Sequence, residues 1–151
     1  MPSVDLSELE RLVNTLQDKS LLARAASNSL ANSTESLASY ATKNARFKNP
    51  TGATVNATQA VTKGLRSSIF VDKKDIPYIE PLYEGSKPHI IRPKDTGALS
   101  FVIGSTRIFA KEVRHPGYKG NPFIQRAWDK NKEVFKKQYT EDLTEQIQDL
   151  I

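Results

Sequence analysis

Residues 85–128 read GSKPHIIRPKDTGALSFVIGSTRIFAKEVRHPGYKGNPFIQRAW, and how they are read decides the fold. Two β-rich runs, Ala98–Ile103 and Arg107–Val113, lie either side of Gly104-Ser105-Thr106. That is the pattern of a hairpin closed by a glycine turn. His89–Arg92 is a short extended piece held between Pro88 and Pro93. Asn121-Pro122 then opens a helix, because asparagine can cap and proline suits the first helical position. Ile124, Ala127, Trp128, Asn131, Phe135, Tyr139, Leu143, Ile147 and Leu150 carry a 3.6-residue period from there, so the spacing predicts a helix over 122–150.

Upstream, Leu6, Leu9, Leu12, Val13 and Leu16 form one stripe, and Asp5 with Glu8 resembles a capping box. A short amphipathic helix is expected there. Lys19-Ser20 reads as a break, with Ser20 able to cap a second helix. From Leu21 to about Asn44, Leu22, Ala26, Ser29, Leu30, Ser33, Leu37 and Ala41 recur at helical spacing with a face of small residues. Serine and asparagine lower the intrinsic propensity, so this helix should depend on packing against a sheet or a neighbouring subunit. Residues 45–64 are polar and turn-rich and read as an exposed loop. Leu65–Asp72 alternates, with Leu65, Ser67, Ile69 and Val71 on one side, and is a strand. Pro77–Glu84 reads as a second, edge-type strand, since Pro81 cannot donate to a ladder. The order of helices, strands and helix predicts one α+β domain over 1–151. It has N-terminal helices (5–44), the loop (45–64), a β-rich part (65–120) forming a small, mostly antiparallel sheet, and the long C-terminal helix packed on it.

The chain has no cysteine, which excludes disulfides and thiolate chemistry, and only two histidines, His89 and His115. No run approaches the roughly 18 apolar residues of a membrane span. The N-terminal residues lack the apolar stretch of a signal peptide, so a protein with no membrane association, made in the cytoplasm, is expected. Net charge is +5. Between Gly85 and Asn121 stand Lys87, Arg92, Lys94, Arg107, Lys111, Arg114 and Lys119, against only Asp95 and Glu112. This segment therefore holds the whole net charge. Such a patch fits nucleic acid, an acidic protein partner or a solubilising surface.

Catalytic constellations are weak. Ser86 with His89, or Ser105 with His115, lacks the strained elbow that presents a nucleophilic serine. As a metal pair, His89 and His115 have no acidic cluster around them and are flanked by cations. Gly117 and Gly120 serve a tight turn before the last helix better than an anion site. Phe101, Phe109 and Tyr118 interleave with cations, as in a stacking surface for nucleic acid, but Phe101 and Phe109 are expected in the core. No enzyme, metal or cofactor is expected.

Several of these pieces carry a resemblance. Tyr83-Glu84-Gly85, Lys87-Pro88-His89, Arg92-Pro93-Lys94 and Ala98-Leu99-Ser100-Phe101 come first, followed by His115-Pro116-Gly117, Pro122-Phe123 and Ala127. With Gly64-Leu65-Arg66-Ser67-Ser68-Ile69 upstream, they resemble the tail-component family of tailed bacteriophages typified by gene product ten of a lambdoid phage. The resemblance covers about residues 5 to 140. It departs from the family where a polar insertion separates Pro50-Thr51-Gly52 from Gly64, and where Gln125-Arg126 replaces an Arg-Pro pair. It implies a non-enzymatic virion protein of the neck, head–tail junction or completed tail. Such a protein would form a homo-oligomeric ring, with a hexamer as one candidate, around the DNA channel. Its neighbours would be connector or stopper proteins and a tail terminator or tail tube. Contacts with these partners, or with channel DNA, would fall on Lys87, His89, Arg92, Lys94, Arg107, Lys111, Arg114, His115 and Lys119. A small basic nucleic-acid-binding protein is the alternative.

Overall fold

The computed structural model describes residues 7–47, 51–95 and 97–150. The fold is α+β, with small antiparallel β-ribbons and a long C-terminal helix. The chain forms two compact units. One contains the described residues up to Ile76 and from Phe123 onward; the other is Pro77–Pro122. A proline stands at each end of the inserted unit, where the chain cannot continue a helix or ladder without interruption.

The first unit begins with α1 (Ser7–Gln17) and α2 (Lys19–Lys43). Asp5 and Leu6 of the expected first helix lie outside the described residues. The cap of α2 is Asp18, not Ser20: its Oδ1 accepts from the Ser20 amide at 2.9 Å, the Leu21 amide at 3.2 Å and the Ser20 hydroxyl at 2.6 Å. Those bonds, the Ser20 hydroxyl first, hold the Asp18 carboxyl below its ordinary pKa. Serine two positions further on serves as donor to the cap.

The expected loop over 45–64 is corrected from Ala53 on. A single turn, α3 (Ala53–Asn56), leads into β1 (Thr58–Lys63), which pairs antiparallel with β2 (Arg66–Val71). Polar composition hid β1, but Thr58, Val61 and Thr62 are β-branched and suit a strand. Thr62 and Ser67, directly opposite, join hydroxyls at 2.7 Å. Only Gly64-Leu65 separates the strands, and Gly64 has φ +58° while Leu65 does not turn positive, the arrangement of a type II′ turn. Within β2 the alternation holds, with Ser67, Ile69 and Val71 covered while Arg66, Ser68 and Phe70 are exposed, but Leu65, expected on the covered side, lies in the turn and is exposed.

The last helix of this unit, α5 (Phe123–Gln148), lies along α2, which also carries the β1–β2 ribbon. The small-residue face of α2 makes this approach feasible, with Ala25, Ser29, Ser33 and Ala41 buried. Ser29 is fully buried and accepts from the Gln146 amide at 2.9 Å, and that amide also donates to Asp142 at 2.8 Å. Asn32 donates to the same Asp142 oxygen at 3.1 Å. Burial pulls the Asp142 pKa upward, but hydrogen bonds from Asn32, Ser29 and Gln146 outweigh it, so the carboxyl titrates below its usual range. Near the other end of α5, Phe123 is 2% exposed and meets Phe47 edge to face at 5.5 Å. Arg126 donates to the Ala45 carbonyl at 3.3 Å, beside Arg46 in the left-handed region (φ +56°). Leu30, Leu37, Ile69, Ile124, Trp128 and Phe135 line an open apolar cleft of roughly 400 Å³. Among the described residues no helix is long and apolar enough to cross a membrane.

The second unit opens with α4 (Ile79–Glu84), where an edge strand was expected. Pro81 is the third residue of this helix, within the first turn, whose amides have no helical partner in any case. Then come β3 (His89–Ile91), β4 (Leu99–Ile103), β5 (Thr106–Ala110) and β6 (Val113–His115). The expected single sheet is instead three two-stranded ribbons: β1–β2 in the first unit, and β3–β6 and β4–β5 here. The β4–β5 turn is Gly104-Ser105, with Gly104 at φ +63°, a second turn of the type II′ kind.

Candidate functional site: a paired-loop clasp and its basic ribbons

All nine candidate residues fall in the second unit. The two Pro-punctuated loops, far apart in sequence, meet as one clasp. β3 and β6 pair with His89 opposite His115, Ile90 opposite Arg114 and Ile91 opposite Val113. Beyond them, Ser86 and Tyr118 exchange both backbone hydrogen bonds, at 2.7 and 2.8 Å. The Asn121 amide closes the clasp on the Leu82 and Tyr83 carbonyls, at 2.9 and 3.0 Å.

Glycine allows this approach. A Cβ on Gly85 would stand 2.4 Å from the Tyr118 carbonyl oxygen, and one on Gly117 2.5 Å from that of Ser86. On Gly120 it would meet the Glu84 backbone at 2.6 Å. All three have φ between +84° and +95°. The motif glycines are therefore required by backbone against backbone.

The histidine rings stack, with centroids 5.0 Å apart and planes at 28°. His89 Nδ1 bonds the Lys87 carbonyl at 2.8 Å, so that nitrogen carries the proton. His115 Nδ1 accepts from the Gly117 amide at 3.1 Å, which places the proton of its neutral ring on Nε2. In this tautomer His115 has no lone pair to offer a metal, and the ring works as an acceptor holding the turn. Ser86 takes part through its backbone, and Ser105 lies in the β4–β5 turn.

The cations split into engaged and free. Arg92 pairs with Glu112 at 3.2 Å across exposed surface. Arg107 donates to the Ser100 hydroxyl at 3.2 Å. Lys87, Lys94, Lys111, Arg114 and Lys119 are exposed and form no ion pair among the described residues. Arg92, Lys94, Leu99, Ser100 and Phe109 line an open depression.

One expectation fails here. Phe109 is 67% exposed, whereas Phe101 is half-buried. The register explains it: Phe101 faces Ile108 and Phe109 faces Ser100, so the two rings lie on opposite faces of the ribbon. The two-residue turn at Gly104-Ser105 carries that information, since it sets which residues pair. Val102, Arg107 and Phe109 then share one face, with Lys111 just past the end of β5.

Comparison with family models, with curated proteins and with solved structures finds no match for this chain.

Proposed function

We propose that this chain is a structural, non-enzymatic subunit of a tailed-phage virion. It would belong to the neck or head–tail junction, or complete the tail, as one copy in a homo-oligomeric ring around the DNA channel. The observation that carries this reading is the clasp. Among the sequence pieces that resemble the phage tail-component family, Gly85, His89, His115 and Gly117 build the clasp. Their roles there are steric and hydrogen-bonding, which suits a scaffold protein.

A second feature supports assembly. Ala25, Leu37, Ala41, Ala45, Ala57, Val71, Ile76, Ile79, Phe123 and Ala127 are the buried apolar side chains among the described residues, and half of them are alanine. Val102, Ile103, Phe109, Leu9, Leu65 and Val134 are at least half exposed. A chain that leaves large aliphatic and aromatic groups in water while burying small ones suits a subunit covered by neighbours. The neighbours would be connector or stopper proteins on the head side and terminator or tube proteins on the tail side. Deleting the gene should yield filled heads and separate tails that fail to join, visible by electron microscopy. Normal infectious particles from the deletion would refute the proposal.

The exposed Phe109 between Arg107 and Lys111 favours nucleic-acid binding as the second reading. It predicts affinity for DNA that falls steeply with salt, and a filter-binding titration without retention at about 50 mM salt removes it.

A further inference from the structure

We propose a head-to-tail contact between copies, in which the β4–β5 ribbon of one copy docks on α1 and the end of α5 of the next. It rests on the ring reading above and specifies the surfaces that build the ring. β4 and β5 pair only with each other, and a lone two-stranded ribbon is marginal in water. Its outer face carries Val102, 59% exposed, and Phe109, with Arg107 between them in register and Lys111 beyond.

The other half of the contact is in the first unit. Leu9 and Val13 lie on the apolar stripe of α1 yet are 54% and 42% exposed. Thr15 of the same helix reaches the Leu150 carbonyl at 3.5 Å, which places the helix beside the end of α5. Glu10 on α1, and Glu145 and Asp149 at the end of α5, are exposed and without an ion pair among the described residues. Residues 138–151 contain no lysine or arginine at all. Carboxylates at a helix C-terminus oppose the macrodipole, and a cation brought there from outside relieves both.

Each face thus pairs two exposed apolar side chains with free charge, and the charges are opposite. Ribbon on ribbon, or helix face on helix face, would set cation against cation or carboxylate against carboxylate, whereas ribbon on helix face sets unlike charges together. Assembly beyond a dimer separates the head-to-tail arrangement from a reciprocal two-fold one, and a head-to-tail contact closes into a ring when the rotation permits.

The test is the mass of the full chain in solution, by light scattering and sedimentation, for wild type, Phe109→Asp, Leu9→Asp and an equimolar mixture of the two. Wild type should assemble beyond a dimer as concentration rises. Each variant alone should lose assembly, because one half of every contact is spoiled. The mixture should give a one-to-one heterodimer and nothing larger, since each copy keeps a single intact half. Both sites are exposed, so folding is checked by unchanged circular dichroism. As a second pair, Arg107→Glu with Lys111→Glu should lose assembly, and Glu145→Lys with Asp149→Lys on the partner copy should restore it. A monomeric wild type, either variant assembling as wild type does, or a mixture that forms no heterodimer overturns the contact. So does a Phe109→Asp variant that assembles normally but loses salt-dependent DNA retention, which would assign the ribbon to nucleic acid. Assembly that survives both variants leaves the ring reading standing and removes only this contact. A confirmed contact in a protein absent from virions removes the phage reading alone.

Discussion

Gly117 and Gly104 both sit at positive φ, but only Gly117 is pressed against another strand of backbone. Gly104→Ala should cost about 1 kcal/mol from backbone strain alone. Gly117→Ala adds a clash with the Ser86 carbonyl and should lower the melting temperature by more, with loss of the His115–Gly117 hydrogen bond visible in amide exchange. Asp18 and Asp142 give a pH prediction. Both titrate below their ordinary value in the folded chain. Each therefore contributes stability that is fully present above the unfolded pKa, about 3.9, and is lost as pH falls through the lower folded value. Melting curves taken from about pH 5 down to about pH 2 should show an acid-driven decline that Asp18→Asn with Asp142→Asn flattens. Asparagine keeps the cap at position 18, so that variant should not lose its helix at neutral pH. At this scale the sequence showed the glycines and histidines as a set. It did not show that Gly85 faces Tyr118, because that contact is made by backbone, which leaves no compositional trace.

The α2–α5 pair tests the packing at the level of elements. Ser29→Leu forces a larger side chain into a fully buried, closely approached seam and should cost about 1–3 kcal/mol in urea unfolding. Ser29→Ala removes both the acceptor for Gln146 and the hydroxyl bond to Asp142, while Gln146 and Asn32 keep their bonds to Asp142, and should cost about 1–2 kcal/mol. Both long helices were legible because their apolar spacing runs for six turns or more. β1 was not, because threonine, glutamine and lysine look like loop in composition and only the Gly64-Leu65 turn betrays the pairing. Pro77–Glu84 misled in the opposite direction: proline is barred from a central strand and from a helix interior, yet the first helical turn admits it. The exposed place of Phe109 could have been derived from the turn register, whereas core placement follows from hydrophobicity alone.

For the whole molecule, the basic segment stood out in sequence and stays together in the fold, all of it in the inserted unit. The division into two units was hidden, since no linker-like stretch precedes Pro77 or follows Pro122 and the boundary prolines also read as turns. The thin core was foreshadowed by a hydrophobic content of 38%. What composition could not supply is which face carries the remaining apolar groups, and that decides the partner. The central claim is that this chain is a ring subunit at the junction of head and tail. A cryo-electron-microscopic reconstruction of the neck in the tailed-phage particles that the proposal requires tests it most directly. The claim predicts a ring of this fold around the DNA channel, in contact with a connector or tail protein. Complete, joined particles with no copy of the chain in them would contradict it.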